Sequence, residues 1–225
     1  PGFPHRITAE TIRAERAAVD PADFARERLG IIDLDDETHK VIPADRWAVC
    51  RDYQHTPDGL LEYAVDVSPD ARSAAVVASD GVHVEVVKYE SGTAWVVPTI
   101  IAKRDVFSRI VVDPTGPAAG LVAPLEAAGI VVRKLSTEEA VSAAQGFLSD
   151  VEDGRLRHLG QTELDAAVAN ADRRDIGDGN WLWSRKKSSV DIAPLVAATA
   201  ARFAAVSQPP PVEAGFVDLS EYLEE

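Results

Sequence analysis

The sequence of 225 residues lacks the residues and segments that several protein classes require. It has one cysteine, Cys50, which excludes an internal disulfide framework and a cysteine-based zinc site and favours a reducing compartment. It has no methionine, which together with the missing initiator residue we interpret as the mark of a fragment. No apolar run approaches the roughly 20 residues of a membrane-spanning helix, and the N-terminus lacks the apolar core of a signal peptide. We therefore expect a soluble, cytoplasmic chain.

Several catalytic motifs are missing as well. The segment GPAAGLVA lacks the Lys-Ser/Thr pair of a phosphate-binding P-loop, so the chain holds no nucleotide motor of that type. No serine lies in a G-x-S-x-G elbow, and the five histidines have no metal-ligand spacing. The hydrophobic content of 46% nevertheless predicts a globular protein. Carboxylates are therefore the main candidates for chemistry.

The net charge of -14 at first argues against a nucleic-acid partner. Exposed charges act locally, however, because salt screens them beyond about 8–10 Å. The acids concentrate around residues 33–37 and in the tail 213–225, whereas basic residues gather between 155 and 187. A basic region would suit a phosphate backbone, although charge alone favours an ordinary solvated surface. The candidate DNA-binding residues are Arg173, Arg174, Arg185, Lys186 and Lys187.

The hydrophobic periodicity predicts a mixed sheet with helices on both faces. Residues 5–29 are predicted as helical, and three strands between about 60 and 90 form a meander, with a hairpin turn at Asp80-Gly81. Alternating strands and helices follow: strand 109–113, helix 117–129, strand 130–135, helix 136–154, helix 162–172, strand 179–187 and helix 194–206. Ser136 with Glu139 predicts a capping box at the start of one helix.

Three aspartates near the ends of apolar segments are the candidate site: Asp66, Asp113 and Asp191. Bare carboxylates gathered at a sheet edge suit Mg²⁺ or Mn²⁺. Each also has an ordinary alternative, since Asp66 fits a turn, Asp113 a cap for the helix near Pro117, and Asp191 the positive end of the last helix. Asp70 is a further candidate ligand, for which we favour a turn role.

Trp181 and Trp183 alternate beside the basic residues at 185–187. The pattern is compatible with side chains that stack on DNA. We favour the simpler interpretation that one tryptophan packs in the core and the other is exposed.

Five segments carry a family resemblance over about residues 20–206: FARERLGIID with KVIPADRW, YAVDVSPDARSAAVVAS, IVVDPTGPAAGLVAPLEAAGI, RLRHLGQTELDAAVANADRR, and WLWSRKKSSVDIAPLVAATAARF. In order and spacing, the chain resembles the C-terminal nuclease domain of the large terminase subunit of tailed bacteriophages. That domain has a ribonuclease H-like fold.

The resemblance implies that Asp66, Asp113 and Asp191 are catalytic and hold two Mg²⁺ or Mn²⁺ ions. One ion would activate a water and the other would steady the leaving 3′ oxygen, so that concatemeric double-stranded DNA is cut during packaging. It also implies the terminase small subunit and the portal as partners, and the host cytoplasm as location. Residues 1–58 would be the junction with an ATPase domain, 59–207 the nuclease, and 208–225 an acidic, flexible tail.

Two alternatives stay open at this point. A junction resolvase or recombinase would keep the ribonuclease H-like fold but prefer branched DNA. A non-catalytic interaction module of a packaging assembly would use the same acids structurally and bind no metal through them.

Overall fold

The computed structural model describes residues 40–57 and 61–207, together with Glu10, Arg13 and Arg16. The chain divides into one unit of residues 1–39 and another of residues 40–225. The three described residues of the first unit are helical and exposed. The remainder of the helix predicted over 5–29, the predicted boundary at residue 58 and the tail from 208 lie outside the described residues. The predicted domain limits therefore stay predictions.

A six-stranded mixed sheet, in the order β5-β4-β1-β2-β3-β6, forms the centre of the second unit. The strands are β1 (Leu61–Val67), β2 (Ser73–Ser79), β3 (His83–Ser91), β4 (Phe107–Val112), β5 (Val132–Lys134) and β6 (Arg157–His158). The first three form the predicted antiparallel meander. On either side of it the pairings are parallel: β4 pairs with β1, β5 with β4, and β6 with β3.

Strand β1 has the predicted alternation of its two faces. Tyr63 and Val65 belong to one buried apolar cluster, whereas Ala64 belongs to the other. Both faces are buried because helices cover the sheet on each side, as expected for a sheet with parallel neighbours. The turn between β2 and β3 contains Gly81 at φ +101, a conformation that glycine adopts without steric cost.

Helices lie on both faces of the sheet, as predicted. They are α1 (Ala44–Val49), α2 (Val96–Ala102), α3 (Val122–Ala127), α4 (Thr137–Glu152), α5 (Thr162–Ala169) and α6 (Ala193–Val206). Helix α4 begins with the predicted capping box of Ser136 and Glu139. Helix α6 packs across β1 and β2 with small, fully buried alanines such as Ala197 and Ala201, which permit close packing. None of the described helices is long and apolar enough to cross a membrane.

The segment 117–129 is not the single helix that we predicted. It forms a 3-10 helix over Pro117–Leu121 and then α3. Pro124 lacks the amide hydrogen that would bond to the carbonyl four residues earlier, so a continuous α-helical ladder cannot run through this segment.

A separate two-stranded hairpin, β7 (Arg173–Gly177) and β8 (Asn180–Trp183), precedes α6. We predicted β8 but neither β7 nor the short β6. The expectation that one tryptophan is buried and the other exposed was wrong, because Trp181 and Trp183 are both 6% exposed. Residues two apart on a strand share a face, and this face of β8 contacts the core.

Candidate functional site

Asp66 and Asp113 come together because β1 and β4 are parallel neighbours. Val65 pairs with Val112, so the residue after each lies at the carboxyl edge of the sheet, where open α/β sheets bind ligands. Both aspartates line a cavity of about 110 Å³, which we call the Asp66 cavity. Its other lining residues with polar side chains include Thr115, Thr137, Thr199, Arg174 and Arg185.

Asp66 is the most buried carboxylate of the site. Its side chain is 2% exposed, and Arg185 donates from Nη2 to Oδ1 at 2.6 Å and from Nε to Oδ2 at 3.3 Å. Burial raises the pKa of Asp66 from 3.8 to about 6, although the charge and hydrogen bonds of Arg185 oppose this rise. The nearby charge of Asp113 also raises the pKa of Asp66.

Asp113 is half-buried and is held by the residues that follow it. The backbone amide of Thr115 donates to Asp113 Oδ1 at 2.8 Å, and the Thr115 hydroxyl donates to the same atom at 2.7 Å. This is an Asx turn. The alternative role as a helix cap is not observed, because the N-cap residue of the 3-10 helix is Gly116 and no side chain caps it.

Asp191 occupies a different environment. Its Oδ1 accepts a hydrogen bond from the backbone amide of Ala193 at 2.9 Å, at the start of α6. Its Oδ2 accepts from Tyr89 Oη at 3.0 Å and also from Ser73 Oγ. The carboxylate therefore has the helix-start role that was the ordinary alternative, and it also links α6 to β2 and β3.

Asp191 lines a second cavity of about 310 Å³, which we call the Asp191 cavity. Asp70 and Arg185 line it too. Asp70 is exposed and accepts hydrogen bonds from Ser68 Oγ at 2.7 Å and the Arg72 amide at 3.2 Å. It has the turn role that we favoured. The structure thus groups Asp66 with Asp113, and Asp191 with Asp70.

The donor chemistry of the Asp66 cavity fits a hard divalent cation. Two carboxylates and the hydroxyl of Thr115 face one space, and Mg²⁺ and Mn²⁺ prefer such oxygen ligands. Yet within residues 40–57 and 61–207, no group of three or more His, Cys, Asp or Glu side chains is arranged to hold a metal ion. Asp191 opens onto the other cavity, and the Arg185 guanidinium covers the carboxylate of Asp66.

Two of the five predicted DNA-binding residues, Arg174 and Arg185, line the Asp66 cavity. Arg173 and Arg174 are exposed on β7, and Arg174 lines the Asp66 cavity. Lys186 and Lys187 are exposed in the turn after β8, and Lys187 Nζ donates to the Arg173 carbonyl at 3.4 Å. Arg185 alone among the five has its guanidinium committed to a buried carboxylate.

The two tryptophans support this hairpin from within. Their rings meet edge to face at 4.9 Å, and Trp183 Nε1 donates to Thr199 Oγ1 of α6 at 3.1 Å. The guanidinium of Arg173 lies 5.9 Å from the centre of the Trp181 ring. Because both rings are buried, they position the basic hairpin and present no open stacking surface.

Sequence reasoning missed several partners of the aspartates. Thr115 had a local signal, since an Asp followed two residues later by Thr is typical of an Asx turn. The pair of Asp66 and Arg185 had none, because 119 residues separate the two. The same distance problem hid Ser73 and Tyr89 as partners of Asp191.

No protein-family model matches the sequence, and no curated protein is significantly similar to it. Solved structures do share its fold. The large terminase of bacteriophage HK97 superimposes with a TM-score of 0.62 at 17% identity, over 83% of this chain and 51% of that chain. The present chain therefore spans about half the length of that terminase.

Two isolated nuclease domains are also similar. The large terminase nuclease of the thermophilic phage G20c with bound magnesium gives a TM-score of 0.51 at 14% identity, covering 66% of this chain and 82% of that one. The nuclease domain of the large terminase subunit of bacterial virus Sf6 with manganese gives a TM-score of 0.52 at 14% identity, covering 75% of this chain and 99% of that one. Identities this low establish the fold alone. The predicted ribonuclease H-like fold of terminase nuclease domains is confirmed.

Proposed function

We propose that this chain is the metal-dependent endonuclease domain of a phage terminase large subunit. It would cut concatemeric double-stranded DNA into genome lengths during packaging. The observation that carries the proposal is the pairing of Asp66 and Asp113 at the carboxyl ends of neighbouring parallel strands. The fold that it shares with terminase nuclease structures, some of them with bound magnesium or manganese, supports the same assignment.

Asp66 and Asp113 are the proposed ligands of the first divalent cation, with Asp191 as the third catalytic carboxylate and a second ion as predicted. When bound, Mg²⁺ or Mn²⁺ would supply an activated water and would neutralise charge that develops on the phosphate. Thr115 orients Asp113 through two hydrogen bonds to one oxygen. Asp70 is not proposed as a ligand, because its oxygens hold the turn between β1 and β2.

The basic residues around the site would bind the DNA backbone. Arg173 and Arg174 on the hairpin, and Lys186 and Lys187 after it, are exposed cations, and Arg174 lines the cavity of Asp66 and Asp113. Contacts to phosphate carry no sequence information, so we expect cleavage with little sequence preference. The net charge of -14 does not oppose this, because the local cations act at shorter range than the Debye length of about 8–10 Å.

The wider organisation is proposed on the same grounds. Residues 59–207 would form the nuclease, 1–58 the junction with an ATPase domain, and 208–225 an acidic tail. The whole subunit would act in the host cytoplasm with the terminase small subunit and the portal.

Nicking of supercoiled plasmid in the presence of Mn²⁺ tests the proposal. Loss of a residue that only supports a metal ligand typically reduces activity by about 10- to 100-fold. The nicking rate should fall by more than this in each of Asp66→Asn, Asp113→Asn and Asp191→Asn. Asp105→Asn, in the exposed turn before β4 and so at the opposite end of that strand from Asp113, is the charge-matched control and should cut like wild type. Undiminished cutting by Asp66→Asn and Asp191→Asn would contradict the assignment. A strong preference for branched over linear DNA would favour a resolvase instead.

A further inference from the structure

Arg185 lies between the two cavities of the candidate site. It lines both the Asp66 cavity and the Asp191 cavity. No other residue is shared between the lining sets of these two cavities. Its side chain therefore separates the carboxylates of Asp66 and Asp113 from that of Asp191.

The contacts of Arg185 compete directly with a metal ion. Its guanidinium bonds to both oxygens of Asp66, at 2.6 and 3.3 Å, and these are the atoms that a divalent cation needs. A cation entering this position would meet the fixed positive charge of the guanidinium, since arginine stays protonated in proteins. The two positive groups therefore exclude each other at Asp66.

The backbone around Arg185 is anchored, so release of Asp66 requires only a movement of the side chain. The Ser184 amide donates to the Asp172 carbonyl at 2.7 Å, and Ser188 Oγ donates to the Ser184 carbonyl at 2.7 Å. The Arg185 side chain is 22% exposed, whereas Asp66 is 2% exposed. The guanidinium thus has a route to solvent, while the carboxylate stays fixed on β1.

We propose that Arg185 is an intramolecular counter-cation that holds Asp66 in the metal-free protein and must swing away before a divalent cation binds. Its departure joins the two cavities, so that Asp66, Asp113 and Asp191 face one space. The displaced guanidinium then lies among the exposed cations at 173–174 and 186–187, where it adds a phosphate contact. Metal loading and DNA binding are linked through this one side chain. This inference rests on the proposed metal-dependent function.

Calorimetric titration of the full chain with Mn²⁺, without DNA, tests the competition apart from catalysis. Arg185→Gln removes the competing charge but keeps a polar side chain, so its Mn²⁺ affinity should rise about tenfold, equivalent to about 1.4 kcal/mol. Arg185→Lys keeps a cation and should bind within about threefold of wild type. Arg104→Gln makes the same change at an exposed turn residue that lines neither cavity, and should change the affinity less than about twofold.

Unfolding in urea with EDTA supplies a second readout. Without metal, Arg185→Gln leaves a buried carboxylate without its counter-cation and should unfold at lower urea than wild type, whereas saturating Mn²⁺ should narrow that difference. If wild type binds Mn²⁺ through Asp66 but Arg185→Gln binds it no more tightly, the proposed displacement of Arg185 is overturned and the proposed function stays intact. Absence of Asp66-dependent binding from every variant would overturn both.

Discussion

The buried carboxylate of Asp66 should destabilise the metal-free protein, and Asp66→Asn should therefore raise its stability. Burial raises the pKa of Asp66 from 3.8 to about 6 even with Arg185 in contact. At about pH 7.5 this difference corresponds to about 3 kcal/mol against the folded state, at 1.36 kcal/mol per pKa unit. Asparagine removes that cost but leaves the Arg185 guanidinium without its partner, so we expect a net gain of about 1–3 kcal/mol.

The pH dependence gives the sign of the same effect. The folded-state pKa lies above the unfolded value, so the folded protein binds more protons in this window. The stability that Asp66 contributes is therefore full below about pH 4 and is lost as the pH rises through about 6. The difference in unfolding free energy between wild type and Asp66→Asn, measured as a function of pH, should isolate this slope, because every other titrating group is common to both proteins.

Urea unfolding in EDTA, followed by tryptophan fluorescence from about pH 4 to about 8, is the assay. Asp105→Asn is the matched control, since this exposed turn residue carries the same charge outside the Asp66 cavity, and its stability should stay within about 0.5 kcal/mol of wild type. A loss of stability in Asp66→Asn at about pH 7.5, or identical pH slopes for wild type and Asp66→Asn, would show that the buried charge of Asp66 does not destabilise the fold.

Three further substitutions test contacts that support the site. Tyr89→Phe removes a hydrogen bond of 3.0 Å to Asp191 and should cost about 1.5 kcal/mol in urea unfolding, without changing the slope of the transition. Gly160→Ala should cost about 1–2 kcal/mol in the same assay, because φ is +69 and the new Cβ would lie 2.5 Å from Arg51 Nε. Its control is Gly120→Ala, which should be nearly neutral because the new Cβ would meet no atom within 4 Å. Burial lowers the pKa of His158 in the folded protein. The stability contributed by the neutral imidazole is therefore present above the unfolded pKa of about 6.5 and is lost as the pH falls below it. The melting temperature should fall between about pH 7.5 and 5.5, and it should fall less in His158→Gln.

The parts of the fold that followed from the sequence depend on local signals. The alternation along β1 identified its two buried faces, and Ser136 with Glu139 fixed the start of α4, because both patterns involve neighbouring residues. The sequence predicted that Asp66 and Asp113 each end a strand at one edge of the sheet, but the parallel pairing of β4 with β1 that brings them together was not predicted.

The parts that did not follow depend on contacts between distant segments. Arg185 was grouped with its basic neighbours as a DNA contact, and nothing near it in sequence indicates that its partner is Asp66. The hairpin was half missed because β7 is exposed along its whole length, so it has no apolar alternation to read. Its Gly-Asp-Gly turn at 177–179 was the available signal, with φ of +101, +52 and +75.

Asp66 and Asp191 differ in the way they are held, and this decides which is the better probe of function. Asp66 has one charged partner that can leave, whereas Asp191 accepts from two hydroxyls and the Ala193 amide, and so links α6 to two strands. Each hydrogen bond to a charged group contributes about 1.5–3 kcal/mol to stability. Removing the Asp191 carboxylate should therefore weaken both the fold and the site. A loss of cutting in Asp191→Asn consequently needs a parallel unfolding curve before it counts as chemistry. A loss of cutting in Asp66→Asn, in a protein that has become more stable, has no such alternative explanation.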